Sequence, residues 1–194
     1  MENTEQGLRE IKEEVLNCRK CPLYKTRTNP VIGEGSVETK IIFVGEAPGF
    51  NEDQKGQPFC GAAGKVLDEL LNSVGIKREE IYITNILKCR PPQNRDPKTE
   101  EIESCTPYLE KQIEIIKPKV ICTLGNYSTA FLMEKHGLKA QIQGISKIHG
   151  RVFSSNTLFG SIEIIPLYHP AVVTYNSNMK EVLKRDFKIL EKFK

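Results

Sequence analysis

The 194-residue chain contains no tryptophan, no low-complexity tract and no internal repeat, so nothing points to a repeat array. No apolar run approaches the roughly 20 residues that cross a bilayer, which excludes a membrane-spanning reading. The opening stretch, MENTEQGLREIKEE, is charged and polar. It is not a secretory signal, and a soluble, intracellular (cytoplasmic) protein is expected. A strong excess of one charge is also missing. Lys and Arg number 28 against 25 Asp and Glu, a net of +3. That balance permits a nucleic-acid partner but falls far short of the basic footprint that would establish one. With 39% hydrophobic and 27% charged residues, the chain has apolar material for one full core, and disorder is excluded.

What is present is an alternation. A helix is expected from about Glu5 to Asn17, with Leu8, Ile11, Val15 and Leu16 on one face. KIIFVG, IYITNIL, KVICTLG and IEIIPLYHP are short apolar runs, as expected of parallel strands buried on both faces. Between them AAGKVLDELLNSVG and NYSTAFLMEKHG read as helices, and Asp96-Pro97 reads as the start of a helix reaching about Ile116. The last stretch, MKEVLKRDFKILEKFK, carries six basic and three acidic residues. It reads either as an amphipathic helix covering the sheet or as a phosphate-facing one. Strands alternating with helices imply a four-stranded, mainly parallel sheet with helices on both faces. Ligands of such sheets sit at the carboxyl ends of the strands. That rule selects Gly45–Gly49, Thr84–Arg90, Gly125 with Asn126, and His169 with Pro170, so Glu46, Asn85 and His169 should converge.

Six cysteines without an export signal do not suggest a disulfide framework. Cys18 and Cys21 form a C-x2-C pair, and Cys89 and Cys105 supply two more thiols, the first at a strand end and the second within a helix. Four thiolates suit zinc or a 4Fe–4S cluster. No second short C-x2-C pair supports a zinc ribbon, and Pro22 after Cys21 echoes the Cys-Pro ending of iron–sulfur motifs, so the cluster is preferred. Cys122 reads as a buried small hydrophobe, and Cys60 as a packing residue in a glycine-rich loop. FCGAAGKV imitates a phosphate-binding loop, but Phe59 stands at its first glycine and Val66 at its hydroxyl position, which excludes nucleotide hydrolysis there. The loop instead offers Phe59 to a pocket. His136, before Gly137, reads as the end of a helix, and His149 as a surface or loop residue.

With these residues in view, the chain resembles the iron–sulfur uracil-DNA glycosylases of archaea and thermophilic bacteria, family 4. GEAPG at 45–49, GQPFCGAAG at 56–64, TNILKCRPP at 84–92 and HPA at 169–171 match the family's motifs in order. The resemblance implies one uracil-DNA glycosylase domain over residues 1–194, folded as a three-layer α/β/α sandwich around a central, mainly parallel four-stranded sheet. It implies a structural 4Fe–4S cluster on Cys18, Cys21, Cys89 and Cys105, and a monofunctional enzyme of base excision repair. Such an enzyme flips deoxyuridine out of single- or double-stranded DNA, hydrolyses its N-glycosidic bond and leaves an abasic site. The expected protein acts as a monomer, with a sliding clamp as a candidate partner. Its Lys, Glu and Ile content fits a thermophile.

Under this resemblance Phe59 stacks on uracil and Asn85 reads its N3–H and O4, with backbone of Gly45, Glu46 and Ala47 lining the base. His169 stabilises the departing anion at O2, and Glu46 orients water or faces the sugar cation. Val172, Val173 and Tyr175 are candidates for a wedge into the duplex. Arg19, Lys20, Lys25, Arg27, Arg90 and Arg95 are candidates for phosphate contacts. The sequence departs from the GQDPYH motif of the best-known uracil-DNA glycosylases, because Ala47 replaces its Asp and Gly49 its Tyr. Water activation cannot be carried over from that branch, and thymine must be rejected elsewhere. The rival readings are a non-catalytic metal-cluster DNA-binding module and a glycosylase for another damaged base.

Overall fold

A computed structural model describes residues 2–157 and 160–193; Lys194, the last residue of the basic C-terminal segment, lies outside them. In chain order the elements are α1 (Glu2–Leu16), β1 (Glu34–Gly35), β2 (Ile41–Gly45), α2 (Phe50–Lys55), α3 (Ala62–Ser73), β3 (Tyr82–Asn85) and α4 (Thr99–Ile116). They continue as β4 (Val120–Leu124), α5 (Asn126–Lys135), α6 (Ile145–Ile148), β5 (Phe153–Thr157), β6 (Gly160–Leu167), α7 (Val172–Tyr175) and α8 (Met179–Phe187).

The strands form one mixed sheet in the order β1-β3-β2-β4-β6-β5. The four expected strands are its parallel centre. Six strands rather than four make the sheet, because β1 and β5 add antiparallel edges. Neither edge carries an apolar run. β1 is only two residues long, and β5 reads FSSNT, with Phe153 and Ser155 buried and Ser154 and Asn156 exposed. A strand with one solvated face does not need the continuous apolar signal of a central one.

Strand pleat sorts the centre into two layers. Ile41 and Phe43 of β2 face the core that holds Leu67, Leu70 and Leu71 of α3 and Leu183 and Phe187 of α8. Ile42 and Val44 face the core shared with Ile11 and Val15 of α1 and Leu109 of α4. The C-terminal segment therefore covers the sheet, and Phe187 stacks on Phe43 with ring centroids 5.8 Å apart. Burying each such large side chain stabilises the fold by roughly 1.5–3 kcal/mol. Leu16, expected on the inner face of α1, is exposed: it lies one residue past Val15 and so about 100° round the helix.

The start of α4 differs from expectation. Asp96 is not its N-cap; the helix begins at Thr99 after Lys98. Buried Glu101 turns back to accept the Lys98 N–H at 2.9 Å and takes two hydrogen bonds from Arg95, at 2.6 and 2.9 Å. This carboxylate defines the first turn two residues beyond the Asp-Pro signal. Cys122 is fully buried in β4, as expected. His136 ends α5 beside Gly137, which takes the left-handed conformation (φ 74°).

Candidate active site

The parallel register of β2 and β3 sets Gly45 beside Asn85 at the carboxyl edge of the sheet. His169 follows two residues after β6 ends at Leu167. Between these ends lies a cavity of about 280 Å³ whose wall includes Glu46, Ala47, Gly49, Glu52, Phe59, Asn85, Asn94, Arg95 and His169. Glu46, Asn85 and His169 thus converge, as the strand-end rule requires. Gly45 lies behind the wall rather than on it. The fourth strand end contributes nothing: Asn126 turns away and accepts the Ile145 N–H at the start of α6.

Asn85 is 2% exposed, and its Oδ1 is the buried side-chain polar atom without a hydrogen-bond partner among the described residues. An unpaired buried acceptor costs about 1–3 kcal/mol, so it is tolerated where a ligand completes it. Its position depends on Gly45, where a Cβ would stand 2.3 Å from Oδ1 and 2.9 Å from the Phe59 ring. Behind Asn85, the fully buried Lys88 donates through Nζ to the Asn85 carbonyl at 2.8 Å, to Thr84 Oγ1 at 2.7 Å and to Gln112 Oε1 at 2.7 Å. Burial pulls the Lys88 ammonium down to about pH 7, against the opposing influence of nearby Cys105 and Cys89. Gln112 in turn donates to the Ile32 carbonyl and the Tyr82 hydroxyl, so the strand that carries Asn85 is backed by a closed polar network.

Phe59 reaches the cavity from a strained turn. Its φ is +48°, a left-handed conformation costly for an aromatic residue. Two features hold it there. Glu52 Oε1 accepts the Cys60 and Gly61 N–H groups, both at 2.9 Å. Gly64 permits the turn to pack against α3, since a Cβ there would lie 1.8 Å from the Phe59 carbonyl oxygen. The Phe59 ring packs on the His169 imidazole at 5.5 Å.

His169 is held neutral. Burial lowers its pKa to about 4, with Glu52 acting weakly in the other direction. Its Nδ1 accepts the Ala171 N–H at 3.2 Å, so in the neutral ring Nε2 carries the proton and remains a donor. Behind it Tyr168 packs on His149 at 4.6 Å, and His149 Nδ1 is hydrogen-bonded to buried Asp186 of α8. His149 is therefore half-buried and braced. Glu46 behaves oppositely to an ordinary surface carboxylate: burial raises its pKa, and the Asp96 charge raises it further. Asp96, displaced from the helix cap, lies close enough to Tyr127 to raise the pKa of its hydroxyl.

The four expected thiols also come together. Cys18, Cys21, Cys89 and Cys105 line one pocket between α1, α4 and the loop after β3. Cys89 lies four residues beyond the end of β3. Arg27 Nη1 donates to Cys89 Sγ at 3.1 Å and the Lys88 N–H to Cys105 Sγ at 3.2 Å. Burial raises the pKa of Cys21 and Cys89 and pushes Cys105 up to about 12. Among the described residues no three His, Cys, Asp or Glu side chains are arranged to hold a single metal ion.

Other sequence candidates separate. Arg27 turns toward the protein, donating to Cys89 Sγ and to the Val15 and Leu16 carbonyls. Arg95 reaches the cavity while paired with Glu101. Val172 and Val173 pack on the core, whereas Tyr175 is 88% exposed on α7. Sequence reasoning passed over Glu52. A Cβ at Gly49 would lie 2.7 Å from its Oε2, so this carboxylate fills the space beside the position where the GQDPYH branch places Tyr. The absence of a side chain at Gly49 was the available signal.

Residues 32–191 match the family described as the uracil DNA glycosylase superfamily. The chain is 48% identical to the type-4 uracil-DNA glycosylase of Sulfurisphaera tokodaii, over 94% of this chain and 82% of the relative. It is 47% identical to the type-4 enzyme of Archaeoglobus fulgidus, over 94% of this chain and 91% of that one. With the type-4 enzyme of Thermotoga maritima it shares 40%, over 100% and 97% of the two chains. Similarity of this depth along nearly the whole length, on top of the converging motifs, means that the chain belongs to the uracil DNA glycosylase superfamily, and within it to the type-4 uracil-DNA glycosylases.

Proposed function

We propose that the chain is a monofunctional uracil-DNA glycosylase that hydrolyses the N-glycosidic bond of deoxyuridine in DNA and leaves an abasic site. The observation that carries this reading is the unpartnered Oδ1 of Asn85, a residue on the wall of a cavity that also holds a neutral imidazole and a carboxylate. In this reading Asn85 Oδ1 accepts uracil N3–H, and its amide donates to O4. Cytosine presents an acceptor at N3 and an amine at C4, which would leave both Asn85 groups opposed. Phe59 covers the face of the base. His169 Nε2–H donates to O2 as the glycosidic bond lengthens and the base takes up negative charge. Glu46, ionised, orients the attacking water and faces the positive charge growing on the sugar. Glu52 Oε2 stands where the 5-methyl of thymine would press, and burying a methyl against a carboxylate is unfavourable.

In this reading the chain acts as a monomer, with Glu46, Phe59, Asn85 and His169 on the wall of a single cavity. Its substrate is single- or double-stranded DNA, which places the enzyme inside the cell. No helix among the described residues is long and apolar enough to cross a membrane.

Cys18, Cys21, Cys89 and Cys105 are the proposed ligands of a structural 4Fe–4S cluster. Four thiols around one pocket, with N–H donors on two of the sulfurs, suit a cluster that gives each thiolate its own iron. A single zinc ion needs its ligands gathered around one point, and no three such side chains among the described residues are so arranged. When bound, the cluster supplies cross-linking rather than chemistry. The protein should carry iron and acid-labile sulfide in equal amounts and no zinc, as elemental analysis would report.

The direct test is incubation with DNA containing one uracil, followed by alkali. Strand cleavage at uracil and not at thymine, cytosine or hypoxanthine is expected. Cleavage at another base would change the substrate, and none from metal-replete protein would favour a DNA-binding module.

A further inference from the structure

The edge of the cavity carries a feature that excision of a flipped base does not use. Phe50 is the first residue of α2, next to Gly49 of the cavity wall, yet its side chain is 55% exposed. The Arg90 guanidinium lies over the ring, 5.1 Å from its centroid. Arg90 in turn precedes Pro91 of the opposite lip. Its Nε donates to Asn94 Oδ1 at 2.6 Å, and among the described residues its two terminal nitrogens have no protein partner.

The lip is braced rather than loose. Gln93 and Asn94 both take left-handed conformations, with φ of 57° and 55°. Two consecutive non-glycine residues in that region are a strained arrangement, here held by the Arg90–Asn94 bond and by the Arg95–Glu101 pair. A large exposed aromatic on a rigid mount, with a cation over one face and two unused donor nitrogens, is complementary to a nucleotide, which offers a flat ring to stack and a phosphate to bind. The other exposed aromatics among the described residues, Tyr127 and Tyr175, follow the ends of β4 and β6. They flank the same carboxyl edge of the sheet as Phe50, which follows β2.

We propose that Phe50 and Arg90 form a subsite for the nucleotide adjacent to the flipped deoxyuridine, Phe50 stacking on its base and Arg90 binding its phosphate. A base can stack on Phe50 only after leaving its own neighbours, so the preferred substrate is single-stranded or locally opened DNA. This inference rests on the reading of uracil excision above and adds the class of DNA on which it acts.

The test uses single-stranded oligonucleotides with one uracil, in which the base on each side in turn is replaced by an abasic tetrahydrofuran. On one side the replacement should lower kcat/KM of the wild-type chain about tenfold, within the range of one base–aromatic stack. Phe50→Ala should lose about tenfold on the complete strand and become indifferent to that base, and Phe50→Trp should restore the sensitivity. Arg90→Gln should raise KM and flatten its salt dependence by about one phosphate's worth. Inhibition by free uracil should be unchanged in Phe50→Ala, since Phe50 is not on the cavity wall; this also verifies that the variant is folded. The inference is overturned if Phe50→Ala keeps the wild-type sensitivity, or if neither neighbouring base matters to the wild type. A wild-type chain that excises no uracil overturns the underlying reading and this one with it.

Discussion

Asn85 Oδ1 is the one buried side-chain polar atom left without a partner among the described residues, and this separates its contribution to function from its contribution to stability. Replacing it with a similarly sized apolar residue removes an unsatisfied buried acceptor. Asn85→Leu should therefore leave the melting temperature unchanged or higher while lowering kcat/KM for uracil excision by at least about 100-fold. Calorimetry and the alkali-cleavage assay, run on the same preparation, check both halves. Glu46 makes a pH prediction. Burial and Asp96 hold its proton above the ordinary value of 4.5, and the ionised form is the proposed active one. Activity should rise with pH through a limb that lies above 4.5 and then level off. His169, neutral down to about pH 4, adds no second limb in that range. Glu46→Gln should lose the limb as well as most of the rate, and a pH profile of kcat/KM would read it.

Among the elements, the short turn between α2 and α3 is the one on which the site depends. It presents Phe59 from a left-handed backbone, and it survives because Glu52 accepts two of its N–H groups and Gly64 lets its carbonyl pass. Gly64→Ala would force the turn away by more than an ångström. A displacement of that size should cost about 100-fold in kcat/KM while the sheet stays folded, as circular dichroism would show. The helix α2 itself was not expected from sequence, although its signals were present: acidic Glu52 and Asp53 in the first turn, Lys55 in the last, and Gly56 in the left-handed position beyond. Six residues with no apolar stripe give too short a pattern to recognise. Its buried Asp53 accepts the Thr28 N–H at 2.9 Å, tying it to the loop before β1.

On the scale of the whole molecule, the four cysteines join parts far apart in sequence: the end of α1, the loop after β3 and the middle of α4. Apart from the thiols, α1 is held to α4 by the Ile11 and Val15 contacts and by an exposed Glu14–Lys111 ion pair, and exposed pairs contribute under about 1 kcal/mol. The proposed cluster should therefore govern the attachment of the first 17 residues. Cys18→Ser should lower the melting temperature and open α1 to limited proteolysis, with excision at low temperature largely retained, because no cysteine of the set lies on the cavity wall. Loss of activity in step with loss of iron, at temperatures where the chain is still folded, would contradict a purely structural role.

The central strands, the three layers and the meeting of Glu46, Asn85 and His169 were legible in the residues alone. The reason is physical: parallel strands buried on both faces must be continuously apolar, and their polar residues can then occur only at the ends, where ligands bind. Other features depended on contacts between segments distant in sequence. The edge strands β1 and β5 are set by what they pair with, the start of α4 by Arg95 and Glu101, and the inward turn of Arg27 by a sulfur 62 residues away. The place of Glu52 beside Gly49, and the exposed Phe50 under Arg90, likewise come from the packing of one loop against another. Local patterning records how each residue meets water; which residue meets which other residue is settled only when the layers close.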